Sequence, residues 1–207
     1  MSLESTEKKG FMIFIKSKMK LIIISIVILF LIGIFFGWLD YKNKKKITKV
    51  AENFIEAKIM LSKNNPNKSL KILKEIIDEK EKIYSPLALF LLIDQNLEID
   101  KEKILEYFDI VLSIKNIESE DLNLLKLKKA IFISNTSSES EILALLNPII
   151  NSDSVWKAMA IKFVGDYYFS LKEFKKAEQY YSILLENDEF SVDFGEIKRK
   201  MKLIKNG

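Results

Sequence analysis

Val155 to Glu186 reads VWKAMAIKFVGDYYFSLKEFKKAEQYYSILLE. Apolar and aromatic residues recur at three and four positions through Val155–Leu171 and again through Glu173–Glu186, the spacing of one buried helical face. Leu171-Lys172-Glu173 leaves room only for a tight turn, so the stretch predicts two antiparallel helices. A helix–turn–helix unit of this length suggests repetition at about 34 residues.

The same rhythm extends toward the N-terminus. Ile47, Val50, Ala51, Phe54, Ile55 and Ile59 form one stripe, ended by Asn64-Asn65-Pro66-Asn67. Further helices are expected over Ser69–Ile77, Pro86–Leu97, Lys101–Leu112, Glu118–Ile133 and Glu139–Leu146. Ser85-Pro86 reads as a cap followed by a first-turn proline, and Pro148 is expected to end or kink the sixth helix. No Asn-Gly or Asp-Gly turn and no alternating strand pattern is present, so the fold class is all-α. The C-terminal stretch Gly195–Ile204 places lysines and Arg199 around Ile197, Met201 and Leu203, and is expected to cap the apolar end of the array.

Residues 21–39 are of another kind. Leu21 to Leu39 carries no charge, and fifteen of its residues are Leu, Ile, Val or Phe. As a helix it extends roughly 28 Å, about the thickness of a bilayer's hydrocarbon core. Trp38 and Tyr41 stand at its far edge, where interfacial aromatics belong. A signal peptide has a shorter apolar core and a small-residue exit; Phe35-Phe36-Gly37-Trp38-Leu39-Asp40 has none, so an uncleaved span is expected. The organisation is a short basic tail (1–20), a transmembrane anchor (21–39) and a helical domain (40–207). Gly33 and Gly37 form a G-x-x-x-G pair suited to packing helix on helix, against a second copy or another membrane protein.

Charge and composition narrow the function. The net charge is +4, but five lysines and two acids precede Asp40, leaving 28 basic and 27 acidic residues in the rest. A nucleic-acid binder concentrates basic charge on one face; the near-neutral remainder, with Arg199 its only arginine, predicts no nucleic-acid partner. Lys8, Lys9, Lys16, Lys18 and Lys20 before the span are matched by Lys42, Lys44, Lys45, Lys46 and Lys49 after it, so the charge rule leaves topology open. There are no cysteines and no histidines, which removes thiolate and imidazole chemistry. The acid groups Glu118/Glu120/Asp121 and Glu186/Asp188/Glu189 fall at helix ends, where the dipole favours them. The few glycines make no phosphate loop, and Lys172 to Lys176 is a solvated face. No catalytic residue, metal site or cofactor is expected. Trp156, Phe163, Tyr167, Tyr168, Phe169, Phe174, Tyr180 and Tyr181 are expected to be mostly core.

Ile161, Val164, Gly165, Tyr168, Ala177, Tyr181 and Leu184 resemble the tetratricopeptide-repeat signature. In that pattern the small Gly165 lets the first helix approach the second where Ala177 packs, and Tyr168 and Tyr181 fill the surrounding space. Glu189 stands where a proline usually follows. A weaker copy falls on Ala57, Met60, Ser69, Leu73 and Ile76, with Glu56 at a normally apolar position. The units around Ala88 and Leu91 and around Lys126 to Ala130 drift further. With Leu145-Leu146-Asn147-Pro148-Ile149-Ile150, Trp156 and Gly165-Asp166, the chain is similar to the YfgM-like family over about Met19 to Ile204. The resemblance implies one membrane span followed by an α-solenoid of degenerate helix pairs. It implies a bacterial inner-membrane protein with its N-terminus in the cytoplasm and its helical domain in the periplasm. The partners implied are SecYEG translocon subunits, a periplasmic chaperone or an emerging polypeptide, with no enzymatic activity. It also turns Lys162, Asp166 and Phe169 toward a partner-binding groove. The alternative is a cytoplasm-facing adaptor that recruits a complex to the membrane.

Overall fold

The structure, a computed structural model, describes residues 3–187, 190 and 192–206, with side chains from residue 18 onward except residue 22. Asp188 and Glu189, and the side chains of Lys8, Lys9 and Lys16, therefore lie outside the described residues. Among the described residues are nine α-helices and no strand: α1 (Leu3–Ser62), α2 (Pro66–Asp78), α3 (Tyr84–Asp94), α4 (Lys101–Leu112), α5 (Ser119–Ile133), α6 (Glu139–Ile150), α7 (Lys157–Ser170), α8 (Phe174–Leu185) and α9 (Phe194–Asn206). The chain divides into two units, Met1–Glu52 and Asn53–Gly207.

The first unit is helical. It holds the one stretch, among the described residues, that is long and apolar enough to cross a membrane. A core helix of this composition would be covered; instead Leu29, Phe30 and Phe36 are 67, 69 and 63% exposed. Ser25 is no obstacle to an apolar setting, because its hydroxyl donates to the Leu21 carbonyl at 3.0 Å. Gly33 and Gly37 lie one turn apart and have open space where a Cβ would stand. Beyond the apolar run, the Lys42 ammonium sits 5.4 Å from the Trp38 ring.

In the second unit, short helices follow one another, with α2 on α3, α5 on α6, α6 on α7, α7 on α8 and α8 on α9. Local chemistry sets their ends. Asn65 accepts from the Lys68 amide and Pro66 opens α2. Asp100 accepts from the Glu102 and Lys103 amides at the start of α4. Ser138 and Glu141 form a reciprocal capping box on α6. At their other ends α1, α3 and α7 close with a left-handed residue: Asn64, Asn96 and Lys172, at φ 57°, 49° and 61°. At Lys172 the Glu173 amide reaches the Tyr168 carbonyl and the Lys172 amide the Phe169 carbonyl, at 2.9 and 3.0 Å, a Schellman closure made without glycine.

Two expectations are corrected here. Helix α3 begins at Tyr84, and Ser85 is not its cap: the buried Ser85 hydroxyl donates to the Ile76 carbonyl (2.7 Å) and accepts from the Glu81 amide (2.9 Å), tying α3 to α2. The Glu81 carboxylate caps instead, accepting from the Ile83 and Tyr84 amides. Helix α6 runs through Pro148 to Ile150. Pro148 and Ala144, four residues before it, are both exposed, so the carbonyl left without a donor faces water.

One continuous core joins α5 to α9. Leu127, Ile142, Leu146, Ile161, Val164, Tyr168, Ala177, Tyr181 and Leu184 are buried in it, and Ile197 of α9 is 0% exposed. Each such aliphatic side chain contributes about 1.5–3 kcal/mol by leaving water.

Candidate functional site

Helix α3, YSPLALFLLID, is apolar on every side. A helix of that kind needs cover all round. Ala88, Leu89 and Leu92 find it in the core, but Leu87 remains 41% exposed, as does Ile83 just before the helix at 48%. Two cavities of about 190 Å³ each lie between α3 and α5, and Phe90 lines both. One is closed by Phe108 and Phe132, whose rings stand 5.9 Å apart, and edged by Ile131, itself 46% exposed. The other runs past Pro86, Leu87 and Leu124. Together they form an apolar groove with charges only at its rim. Lys128 stands there with its ammonium 4.9 Å from the Phe90 ring and 3.6 Å from the Asp94 carboxylate. Lys82 and Asp121 edge the second cavity.

Such a groove offers few polar handles. It can cover apolar side chains of a partner, leaving the rim charges to pair with whatever flanks them. Sequence reasoning missed it, because the all-round apolar character of residues 84–94 reads as a fully covered helix.

Lys162, Asp166 and Phe169, expected on a groove, are brought together on α7 beneath α9. Asp166 is the hub of that cluster. It accepts from the Lys162 and Lys200 ammonium groups and from the Tyr181 hydroxyl, each at 2.7 Å. Glu196 closes the ring, bonded to Lys200 at 2.6 Å and to Lys162 at 3.1 Å. The Lys200 ammonium also lies 5.9 Å from the Phe169 ring. Burial works against the Asp166 charge, but the bonds from Lys162, Lys200 and Tyr181 outweigh it and hold the carboxyl below the usual carboxylate range. Burial and the bond to Asp166 push the Tyr181 phenol well up. All these groups are satisfied by one another, and the cluster joins α7, α8 and α9.

A second polar link joins α6 to α7 and α8. Tyr168 donates to Glu139 at 2.6 Å, and Lys176 pairs with the same carboxylate at 3.0 Å while its ammonium lies 4.7 Å from the Tyr168 ring. Glu120, placed with the helix-end acids by sequence, accepts from the Ser154 hydroxyl (2.7 Å) and the Val155 amide (3.1 Å). That bond crosses 34 residues and ties α5 to the turn before α7. Among the described residues no group of three or more acids gathers as a metal would require.

Gly165 explains why α7 and α8 approach so closely. A Cβ built there would stand 2.6 Å from the Tyr181 ring. Searched against family models, curated proteins and solved structures, the chain has no match in any of the three.

Proposed function

We propose that this chain is a non-enzymatic, membrane-tethered helical-repeat protein that holds apolar segments of other proteins in the groove between α3 and α5. The observation that carries the reading is α3 itself. An apolar helix lining an open groove exposes surface that is unfavourable in water unless a partner covers it. The charge-free run Leu21 to Leu39 supplies the tether, raising the local concentration of the groove near proteins that cross or leave the bilayer.

The helix pairs α5–α6 and α7–α8, with Gly165 admitting Tyr181, support a degenerate tetratricopeptide-like solenoid. On that reading the YfgM-like resemblance extends to function: a domain on the periplasmic side of a bacterial inner membrane, beside the translocon, receiving emerging chains or working with a chaperone. Lys162, Asp166 and Phe169 then act as packing residues of the last repeat, and the binding surface lies nearer the N-terminus, between α3 and α5.

A photoreactive residue at Leu87, on the groove rim, tests this in membranes, with one at the isolated and 90% exposed Ile99 as control. Protein adducts at Leu87 that are absent at Ile99 support the reading; equal labelling, or none, overturns it. Protease access to a C-terminal tag in intact spheroplasts tests the side. Digestion before lysis supports the periplasmic placement, and protection until lysis leaves a cytoplasm-facing adaptor.

A further inference from the structure

Helix α9 separates its charges by face. Ile197, Met201 and Ile204 turn inward with Glu196 and Lys200, while Lys198, Arg199, Lys202 and Lys205 are exposed. At 100° per residue these four fall within about 120° of the helix circumference. Glu196 is the only acid within α9, and both its oxygens are engaged by Lys200 and Lys162. Among the described residues no acid pairs with any of the four. Helices α2 and α4 mix signs on their exposed sides, with Lys71, Glu75 and Asp78 on the one and Lys101, Glu102, Lys103 and Glu106 on the other. A merely solubilising face has that mixed character. The outer face of α9 is of one sign, and Leu203, 63% exposed, stands at its edge.

We propose that the outer face of α9 is a docking surface for anionic phospholipid head groups. A helix anchored by one apolar face in its own domain, with a cationic arc and one projecting leucine on the other, suits the interface plane of a bilayer. Lys and Arg each gain from a negative surface, and the gain fades within a Debye length. The tethering reading, on which this rests, makes lipid head groups the polyanion that the domain meets at the highest effective concentration. Arg199, the single arginine of the chain, adds a fork that fits a phosphate on two sides.

The chain has no cysteine, so Asn206→Cys gives one labelling site at the end of this face. The full chain carrying an environment-sensitive dye there is placed in nanodiscs of phosphatidylcholine alone and in discs containing phosphatidylglycerol. The expected result is a blue shift, and quenching by head-group spin labels, in the anionic discs only. Both are lost in about 1 M salt, where the screening length is about 3 Å. Each of K198Q, R199Q, K202Q and K205Q weakens docking by about five-fold. The four combined abolish it, while the triple variant K198R/K202R/K205R retains it, separating charge from any loss of folding. Identical spectra in the two discs overturn the proposal, as does a signal surviving the four-fold neutralisation. An equal shift produced by adding polyglutamate to phosphatidylcholine discs overturns it in favour of an acidic protein partner. A chain that does not enter discs at all refutes the tether, and the proposal with it.

Discussion

Gly165→Ala adds one methyl group at the closest approach of α7 to α8. The new Cβ would meet Tyr181 at 2.6, 2.9 and 3.3 Å, against Cε1, Cδ1 and Cζ. An exposed side chain would swing aside. Tyr181 is 0% exposed, and its hydroxyl is held by Asp166 at 2.7 Å, so movement sacrifices either core packing or that bond. Overpacking a tight core costs about 1–3 kcal/mol, and losing a hydrogen bond to a charged group about 1.5–3. Against this, alanine is about 1 kcal/mol better than glycine within a helix. The balance is a loss of about 1 kcal/mol, or roughly 2–4 °C in Tm for a domain of this size. Thermal unfolding of the full chain in detergent, followed by circular dichroism, reads it. In a Tyr181→Leu background the obstacle is gone, and the same Gly165→Ala change becomes neutral or stabilising by up to about 1 kcal/mol. A wild-type background in which Gly165→Ala raises Tm, or an equal penalty in both backgrounds, refutes the argument.

Three further outcomes are expected. Asp166→Asn weakens the bonds to Lys162 and Lys200 and lowers stability by about 1.5–3 kcal/mol near neutrality. Because the folded carboxyl titrates below its unfolded value, its contribution is present above the unfolded pKa and lost as pH falls through the folded one, so wild-type and variant denaturation midpoints converge in acid. Ser69→Ala stabilises the domain by about 1 kcal/mol, since the Ser69 hydroxyl is buried with no hydrogen-bond partner among the described residues; urea titration reads the sign. Lys172→Gly raises Tm, because the left-handed backbone at φ 61° costs a lysine about 1–2 kcal/mol that glycine avoids.

The sequence was most legible where local chemistry decides. The bounds of α4 match its expected span, because a capping Asp100 and a clean apolar stripe coincide there. The close approach at Gly165 was an expectation from the tetratricopeptide resemblance, and it is the Tyr181 ring, 2.6 Å from where a Cβ would stand, that occupies the space. Ser85 misled because a Ser-Pro pair looks the same whether the hydroxyl caps its own helix or reaches back to another; Ile76, nine residues earlier, decided it. Pro148 did not end α6, because the cost of a missing donor depends on which side of the helix meets water. Lys162 and Asp166 carry the spacing of groove residues, but nothing in their own helix announces Lys200, more than thirty residues later. The groove along α3 stayed hidden for the opposite reason: an unbroken apolar helix reads as fully buried until the arrangement of its neighbours is known.

The Asp166 cluster also makes the integrity of the domain depend on chain length. Ile197, 0% exposed, fills the apolar wall of α7 and α8, and Lys200 completes the ring around Asp166. A polypeptide interrupted before Phe194 has every other helix and still leaves that wall open and the carboxylate short of one cation. Proteases act on locally opened protein, so a product terminated before Phe194 is expected to be cleaved faster than the full chain, a difference that limited proteolysis of the two reads.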